Sequence, residues 1–180
     1  MSLKHALLGF LTIQSLTGYD LAKYFESSLK QIWEAKKSQI YKTLKELSHE
    51  NLVSIEKIHQ SKKPNKKIYH ITKKGEAELI QWLKSPQELP NFNLPMLVQL
   101  CYAYLLEDEQ IESLLMFYEE KCLERIKEME GDIHKKYFRL GNSRMQFLWN
   151  LANDNGIAYY KNELVWVRKA LNSLKNIPSI

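Results

Sequence analysis

The chain has 180 residues, 44% of them hydrophobic and 26% charged, with a formal net charge of +5. That is the size of one or two small domains with a real core. Six glycines in the whole chain leave little to build a glycine-rich phosphate loop from. The apolar run Ala6-Leu7-Leu8-Gly9-Phe10-Leu11 is too short to span a bilayer, and no small-residue cleavage site follows it, so the chain is expected to be cytoplasmic. The charge is uneven: residues 1–83 carry 14 Lys and no Arg against 8 acidic residues, whereas residues 84–180 carry 12 basic against 13 acidic ones. Such asymmetry is expected when one domain meets nucleic acid. A membrane surface is disfavoured, because the basic half holds no basic amphipathic helix with a bulky apolar face.

In chain order, Leu7, Leu8 and Leu11, with Phe10 further round, recur at helical spacing and predict a first helix over residues 4–14. Thr17 is a good N-cap, and Asp20 stands three residues on as the carboxylate of a capping box. A second helix therefore starts near Gly18, buries Leu21, Ala22 and Phe25, and ends at Ser27-Ser28. After a connection containing Trp33, Ser38 to Glu50 reads as a third helix, with Ile40, Leu44 and Leu47 on one buried stripe. At about 100° per residue, Ser38, Lys42, Lys45 and His49 fall on the opposite side, with Tyr41 at the flank. That outer face is equipped to enter a major groove, although a solvated helix face would by itself account for its lysines.

Val53, Ile55 and Ile58, then Ile68, Tyr69 and Ile71, flank a turn at Pro64-Asn65 and predict a hairpin. Lys62, Lys63, Lys66 and Lys67 crowd its tip, where they repel one another in a free protein and would displace counterions beside phosphates. Thr72 can cap a further helix from about Lys73 to Leu83 that buries Ala77, Ile80 and Leu83. Helix, helix and cationic hairpin in this order are the pattern of a winged helix-turn-helix. The candidate DNA contacts are Tyr19, then Ser38, Gln39, Tyr41, Lys42 and Lys45 on the recognition helix, and Lys62, Lys63, Lys66 and Lys67 on the wing.

These strings resemble the phenolic-acid-response (PadR) family of bacterial transcriptional regulators. The resemblance rests on Ala6-Leu7-Leu8-Gly9, Thr17-Gly18-Tyr19-Asp20-Leu21, Gln39-Ile40-Tyr41-x-x-Leu44-x-x-Leu47, Asn51-Leu52-Val53 and Tyr69-x-Ile71-Thr72-x-x-Gly75. Two departures stand out. Lys42 occupies the place of the family's usual proline, and lysines replace the usual wing arginines, which favours phosphate contact over planar readout. The resemblance implies repression by occupancy of a palindromic operator.

Ser85-Pro86-Gln87-Glu88-Leu89-Pro90-Asn91 reads as a linker, giving a DNA-binding domain over 1–84, a linker over 85–92 and a helical domain over 93–180. Asn93 before Pro95 predicts a helix start, followed by an apolar stripe of Leu97, Leu100, Cys101, Tyr104 and Leu105. From Asp108 a longer helix carries Ile111, Leu115, Tyr118, Cys122, Ile126, Met129 and Ile133 at alternating spacings of three and four, a short coiled-coil-like seam. Residues 142–176 repeat the behaviour with Met145, Leu148, Leu151, Ala152, Tyr160, Leu164, Val167, Leu171 and Leu174, and Asn153-Asp154-Asn155-Gly156 could break or bend that helix. So much apolar stripe predicts association through this half, with Leu164, Val167, Leu171 and Leu174 as dimerisation residues. The string Gly156-Ile157-Ala158-Tyr159-Tyr160 through Trp166 resembles the subgroup with a virulence-activator-type C-terminal region, which implies a homodimer. It also implies a small aromatic effector, with Trp149, Tyr160 and Trp166 as candidate contacts; packing of the bundle is the plainer reading of those rings.

Chemistry beyond binding is not evident. His5, His49, His59, His70 and His134 show no pairing with metal-ligand spacing, no nucleophile elbow appears, and Cys101 and Cys122 read as reduced core residues. The sequence therefore predicts a mainly α protein with a small β-hairpin wing: a winged helix-turn-helix followed by a helical dimerisation domain. Its partners would be double-stranded DNA and a second copy, with no cofactor, no metal, no membrane and no enzymatic activity. The alternative is a winged-helix module that contacts another protein and ignores DNA.

Overall fold

The structure, a computed structural model, describes residues 3–28, 35–59, 65–89, 94–131 and 142–175. Trp33, Lys62, Lys63, Pro64, Asn93, Ile133 and His134 lie outside them. Among the described residues the chain divides into two compact units. The first comprises α1 (Leu3–Ile13), β1 (Leu16–Thr17), α2 (Gly18–Ser28), α3 (Lys37–His49), β2 (Val53–Ile58), β3 (Lys66–Ile71) and α4 (Lys73–Lys84). The second comprises α5 (Pro95–Cys101), a 3-10 turn (Ala103–Leu105), α6 (Asp108–Glu130) and α7 (Ser143–Leu174).

In the first unit, Leu7, Leu8, Leu21, Phe25, Ile40, Leu44 and Leu47 are almost completely buried, so the apolar stripes of α1, α2 and α3 meet in one core. Local chemistry sets where these helices begin and end. Thr17 Oγ1 accepts from the Asp20 N–H at 3.1 Å and donates to Asp20 Oδ2 at 2.6 Å, which fixes the first turn of α2. At the end of α3, Asn51 adopts a positive φ of 59°, the Leu52 N–H reaches the Leu47 carbonyl at 2.9 Å and the Asn51 N–H reaches the Ser48 carbonyl at 3.2 Å. This is a Schellman stop, with the buried Leu52 closing over the helix end.

The sheet is antiparallel in the order β1-β3-β2, with Ile55 opposite Tyr69 and Leu16 on its other side. The two-residue β1 is too short to carry a readable periodicity, and the sequence does not predict it. His70 ties the sheet together at its surface, with Nδ1 2.6 Å from Ser15 Oγ and Nε2 3.1 Å from Glu56 Oε2.

Helix α4 is fastened to the α3–β2 junction by Thr72. Its backbone N–H donates to the Leu52 carbonyl at 3.1 Å, its hydroxyl donates to the Asn51 carbonyl at 2.8 Å, and its Oγ1 accepts from the Gly75 N–H at 3.1 Å. Gly75 is required by space: a Cβ there would overlap the Leu52 carbonyl oxygen. This contact corrects the expected buried face of α4. Gly75 and Leu79 are buried, whereas Ala77 is exposed, Ile80 is 51% exposed and Leu83 is 65% exposed. Two apolar stripes run along this helix. The inner one is selected by Gly75 on Leu52, by the stacking of Trp82 on His5 (ring centroids 4.5 Å apart) and by the Lys4–Glu78 ion pair at 3.1 Å, which holds the Glu78 carboxyl below the usual carboxylate range.

In the second unit α6 packs along α7. Leu115, Cys122, Ile126 and Met129 of the expected seam are buried, and Ile111 and Tyr118 are half-buried. Helix α7 runs unbroken through Asn153-Asp154-Asn155-Gly156. The Asn153 side chain donates to the Met129 carbonyl at 3.2 Å, and a Cβ at Gly156 would overlap the Met129 Cε. These residues therefore make a close helix crossing and not a break. Helix α5 is shorter than expected: it starts after Leu94, ends at Cys101 and buries no side chain. Cys101, Tyr104 and Leu105 are exposed, so the stripe expected in this segment does not form a core and only Cys122 is a buried thiol.

Gly75→Ala is expected to cost about 1–3 kcal/mol of the first unit's stability, because the added methyl meets a backbone carbonyl that cannot rotate aside. Chemical denaturation measures this, and a change within about 0.5 kcal/mol, the range of ordinary surface substitutions, would show that the junction is loose.

Candidate nucleic-acid interface

Burial of Ile40, Leu44 and Leu47 leaves the opposite face of α3 to solvent, and Ser38, Gln39, Tyr41, Lys42 and Lys45 are all exposed on it. Gln39 also closes the first turn, its Oε1 accepting from the Lys36 N–H at 2.9 Å. Its amide NH2 stays available to a base edge. The first turn of α3 contains no acidic residue, and the exposed Lys36 and Lys37 stand there. Cations at the positive end of a helix dipole are locally unfavourable, so this end concentrates positive potential that an incoming anion would relieve.

The wing adds to it. Lys66 and Lys67 are exposed at the start of β3, while Lys62 and Lys63 fall outside the described residues. The register places Lys57 directly opposite Lys67. Like charges facing across a ladder destabilise a hairpin. Lys57 is absent from the contacts expected of the sequence, because its signal lies in strand register, which depends on where the turn closes.

Between the two positive elements lies a cleft of about 490 Å³, lined by Gly18, Tyr19, Tyr41, Lys66 and Tyr69 among others. Tyr19 is 66% exposed at the rim. Gly18 makes room for the recognition helix, since a Cβ there would lie 2.6 Å from Tyr41 Cε1. The glycine of the Thr17-Gly18-Tyr19 string is thus explained by the ring that packs on it. The described residues place Tyr19, Tyr41 and Lys66 around one opening and set Ser38, Gln39, Lys42 and Lys45 along α3. Among the described residues no group of His, Cys, Asp and Glu side chains is placed to hold a metal ion, and no helix is long and apolar enough to cross a membrane.

The candidate residues of the second unit are distributed differently. Val167 is fully buried within the chain, and Leu164, Leu171 and Leu174 are half-buried on the same side of α7. The expected dimerisation stripe is therefore committed, at Val167, to packing inside the chain, because it lies on the side of α7 that packs along α6. Phe147, Leu151 and Val165 are exposed and, at about 100° per residue, share the opposite face. Nor are the three candidate effector contacts gathered. Trp149 and Trp166 sit on one continuous helix, which at about 1.5 Å per residue separates them by roughly 25 Å. Trp166 packs edge-on against Tyr118 at 6.2 Å, and Tyr160 packs edge-on against Tyr159 at 5.2 Å. Tyr118 donates to Glu163 Oε2 at 2.7 Å, and burial together with that carboxylate pushes its phenol well above the ordinary tyrosine range.

Comparison with known proteins agrees with this architecture along most of the chain. Residues 7–81 match the transcriptional regulator PadR-like family, and residues 94–175 match the virulence activator alpha C-term family. The negative transcriptional regulator PadR of Bacillus subtilis is 43% identical over 88 residues, a stretch that covers 49% of this chain and 48% of that protein. The chain spans about half the length of the curated relatives it matches. Among solved structures, Bacillus subtilis PadR in complex with operator DNA superposes with a TM-score of 0.82 at 28% identity, covering 97% of this chain and 99% of that one. The same protein in complex with p-coumaric acid gives a TM-score of 0.77 at 28% identity, covering 96% and 98%. The virulence activator AphA of Vibrio cholerae, 22% identical, shares the fold with a TM-score of 0.75, covering 98% and 100%. With one family matched by the winged unit and the other by the helical unit, the chain carries a domain similar to the PadR-like transcriptional regulators followed by a region similar to the virulence-activator C-terminal family.

Proposed function

We propose that this chain is a cytoplasmic DNA-binding regulator that acts as a homodimer, represses by occupying a palindromic operator, and is released by a small aromatic effector. The observation that carries the reading is the pairing of an unneutralised helix end, with Lys36 and Lys37 on the first turn of α3, with Lys57 opposite Lys67 on the wing. Both arrangements cost stability in the free protein, and a phosphate backbone offsets both at once. In this reading the wing lysines, including Lys62 and Lys63, hold phosphates, and Ser38, Gln39, Lys42 and Lys45 face base edges. The operator and p-coumaric acid complexes of the Bacillus subtilis relative support the DNA and effector parts.

Dimerisation belongs to the second unit. Phe147, Leu151 and Val165 leave an apolar stripe exposed on α7, and burying each such side chain contributes about 1.5–3 kcal/mol. For the effector, Trp166 with its neighbour Tyr118 offers the better-formed aromatic wall, and Trp149 and Tyr160 would belong to the same site only if a second subunit brought them near.

A gel shift with the DNA upstream of the chain's own gene tests the main reading. Binding is expected to weaken steeply with salt. Replacing Lys57, Lys66 or Lys67 by Ala should reduce the slope of log K against log salt by about 0.9 for each phosphate no longer held. A phenolic acid should release the duplex. Absence of any shift at low salt would favour a protein-interaction module instead. For the dimer, the double variant Leu151→Glu, Val165→Glu should sediment as a folded monomer; one that remains dimeric would move the interface off this face of α7.

A further inference from the structure

The cleft between α2 and the wing has a floor as well as a rim. Tyr69 is only 8% exposed, yet it lines this opening, and nothing among the described residues hydrogen-bonds its hydroxyl. With the ring buried and no protein partner, the hydroxyl is left to the cleft, where an incoming acceptor can take its hydrogen bond. The first turn of α2 ends at the same cleft, with its positive pole and the backbone of Gly18 and Tyr19. Tyr41 is fixed on the adjoining wall by its packing on Gly18, and Lys66 stands at the rim. The one carboxylate on the lining, Asp20, is occupied by the Thr17 hydroxyl at 2.6 Å.

We propose that this cleft seats a single phosphate of the DNA backbone, held by the hydroxyl of Tyr69 from below, by Tyr41 from the side, by the first turn of α2 and by Lys66. The inference rests on the DNA-binding reading and deepens it, assigning a phosphate-contact role to Tyr69, which the sequence marks only as a strand residue. Burial and the neighbouring Tyr41 push the Tyr69 phenol up, so it keeps its proton at neutral pH and can donate. Because a phenol adds a hydrogen bond without adding charge, its contribution has a signature different from that of the lysines around it.

Tyr69→Phe in the full chain tests this with random-sequence duplex DNA at low salt and with the upstream duplex. Affinity for both should fall about tenfold or more, the usual worth of a hydrogen bond to a charged group. The salt slope should stay unchanged, whereas Lys66→Ala should lower it by about 0.9. The melting temperature of the free protein should hold, because the hydroxyl has no protein partner there. Gly18→Ala, which displaces Tyr41, should weaken binding to the same duplexes in a folded protein. Wild-type affinity in Tyr69→Phe, or a lowered melting temperature accompanying its weaker binding, would overturn the seat while leaving DNA binding itself intact. Failure of the wild type to bind either duplex would remove the DNA-binding reading and the seat together. If inorganic phosphate alone raises the wild-type melting temperature but not that of Tyr69→Phe, the cleft belongs to a free anion and the backbone assignment is wrong.

Discussion

The geometry of the winged unit depends on a contact between backbone atoms where α4 meets the turn after α3. Thr72 bonds to both Asn51 and Leu52, and Gly75 lies against the Leu52 carbonyl so closely that no side chain fits. Asn51 and Leu52 are also the Schellman stop of α3, and Val53, next in line, opens β2. One short segment thus fixes the end of the recognition helix, the start of the wing and the entry to α4. A shift of any of the three would change the angle between α3 and the hairpin, and with it the distance between the two lysine-bearing surfaces.

Upon that frame the protein builds a positive surface that it does not neutralise itself. Several acidic residues of the winged unit are held in structural contacts: Asp20 on Thr17, Glu50 and Glu78 on Lys4, Glu56 on His70. Lys57 and Lys67 are left facing each other across the ladder, and Lys36 and Lys37 sit at the positive end of a helix dipole. Stability surrendered in this way is recovered when phosphates arrive, which couples affinity to salt through counterion release. A substitution of lysine by glutamate at these places is therefore expected to help the free fold while harming its use.

Much of the winged unit was legible because its signals are local. Caps such as Thr17 and Thr72, the period of Ile40, Leu44 and Leu47, and β-branched runs around a turn each act within a few residues. The inner face of α4 was not legible, since Ala77, Ile80 and Leu83 repeat as convincingly as Gly75, Leu79 and Trp82. Only long-range contacts, Gly75 on Leu52, Trp82 on His5 and Glu78 on Lys4, choose between them. The roles of Lys57 and Tyr69 were hidden for the same reason, as strand register and cleft position come from pairing across the sheet. In the helical unit the seam of α6 was plain. The orientation of α7 was not, because Val167 and the exposed Val165 are equally apolar and the partner helix decides which turns inward. Asn153 and Gly156, helix breakers by composition, are held helical by their contacts with Met129.

Hydroxyl-radical footprinting of the DNA upstream of the chain's own gene tests the central claim most directly, that a pair of these winged units reads duplex DNA. The account predicts two protected patches of equal strength related by a dyad, with recognition-helix contacts about 34–36 Å apart, one helical turn. Protection of a single patch would contradict the dimeric arrangement, and uniform cleavage at low salt would contradict the account as a whole.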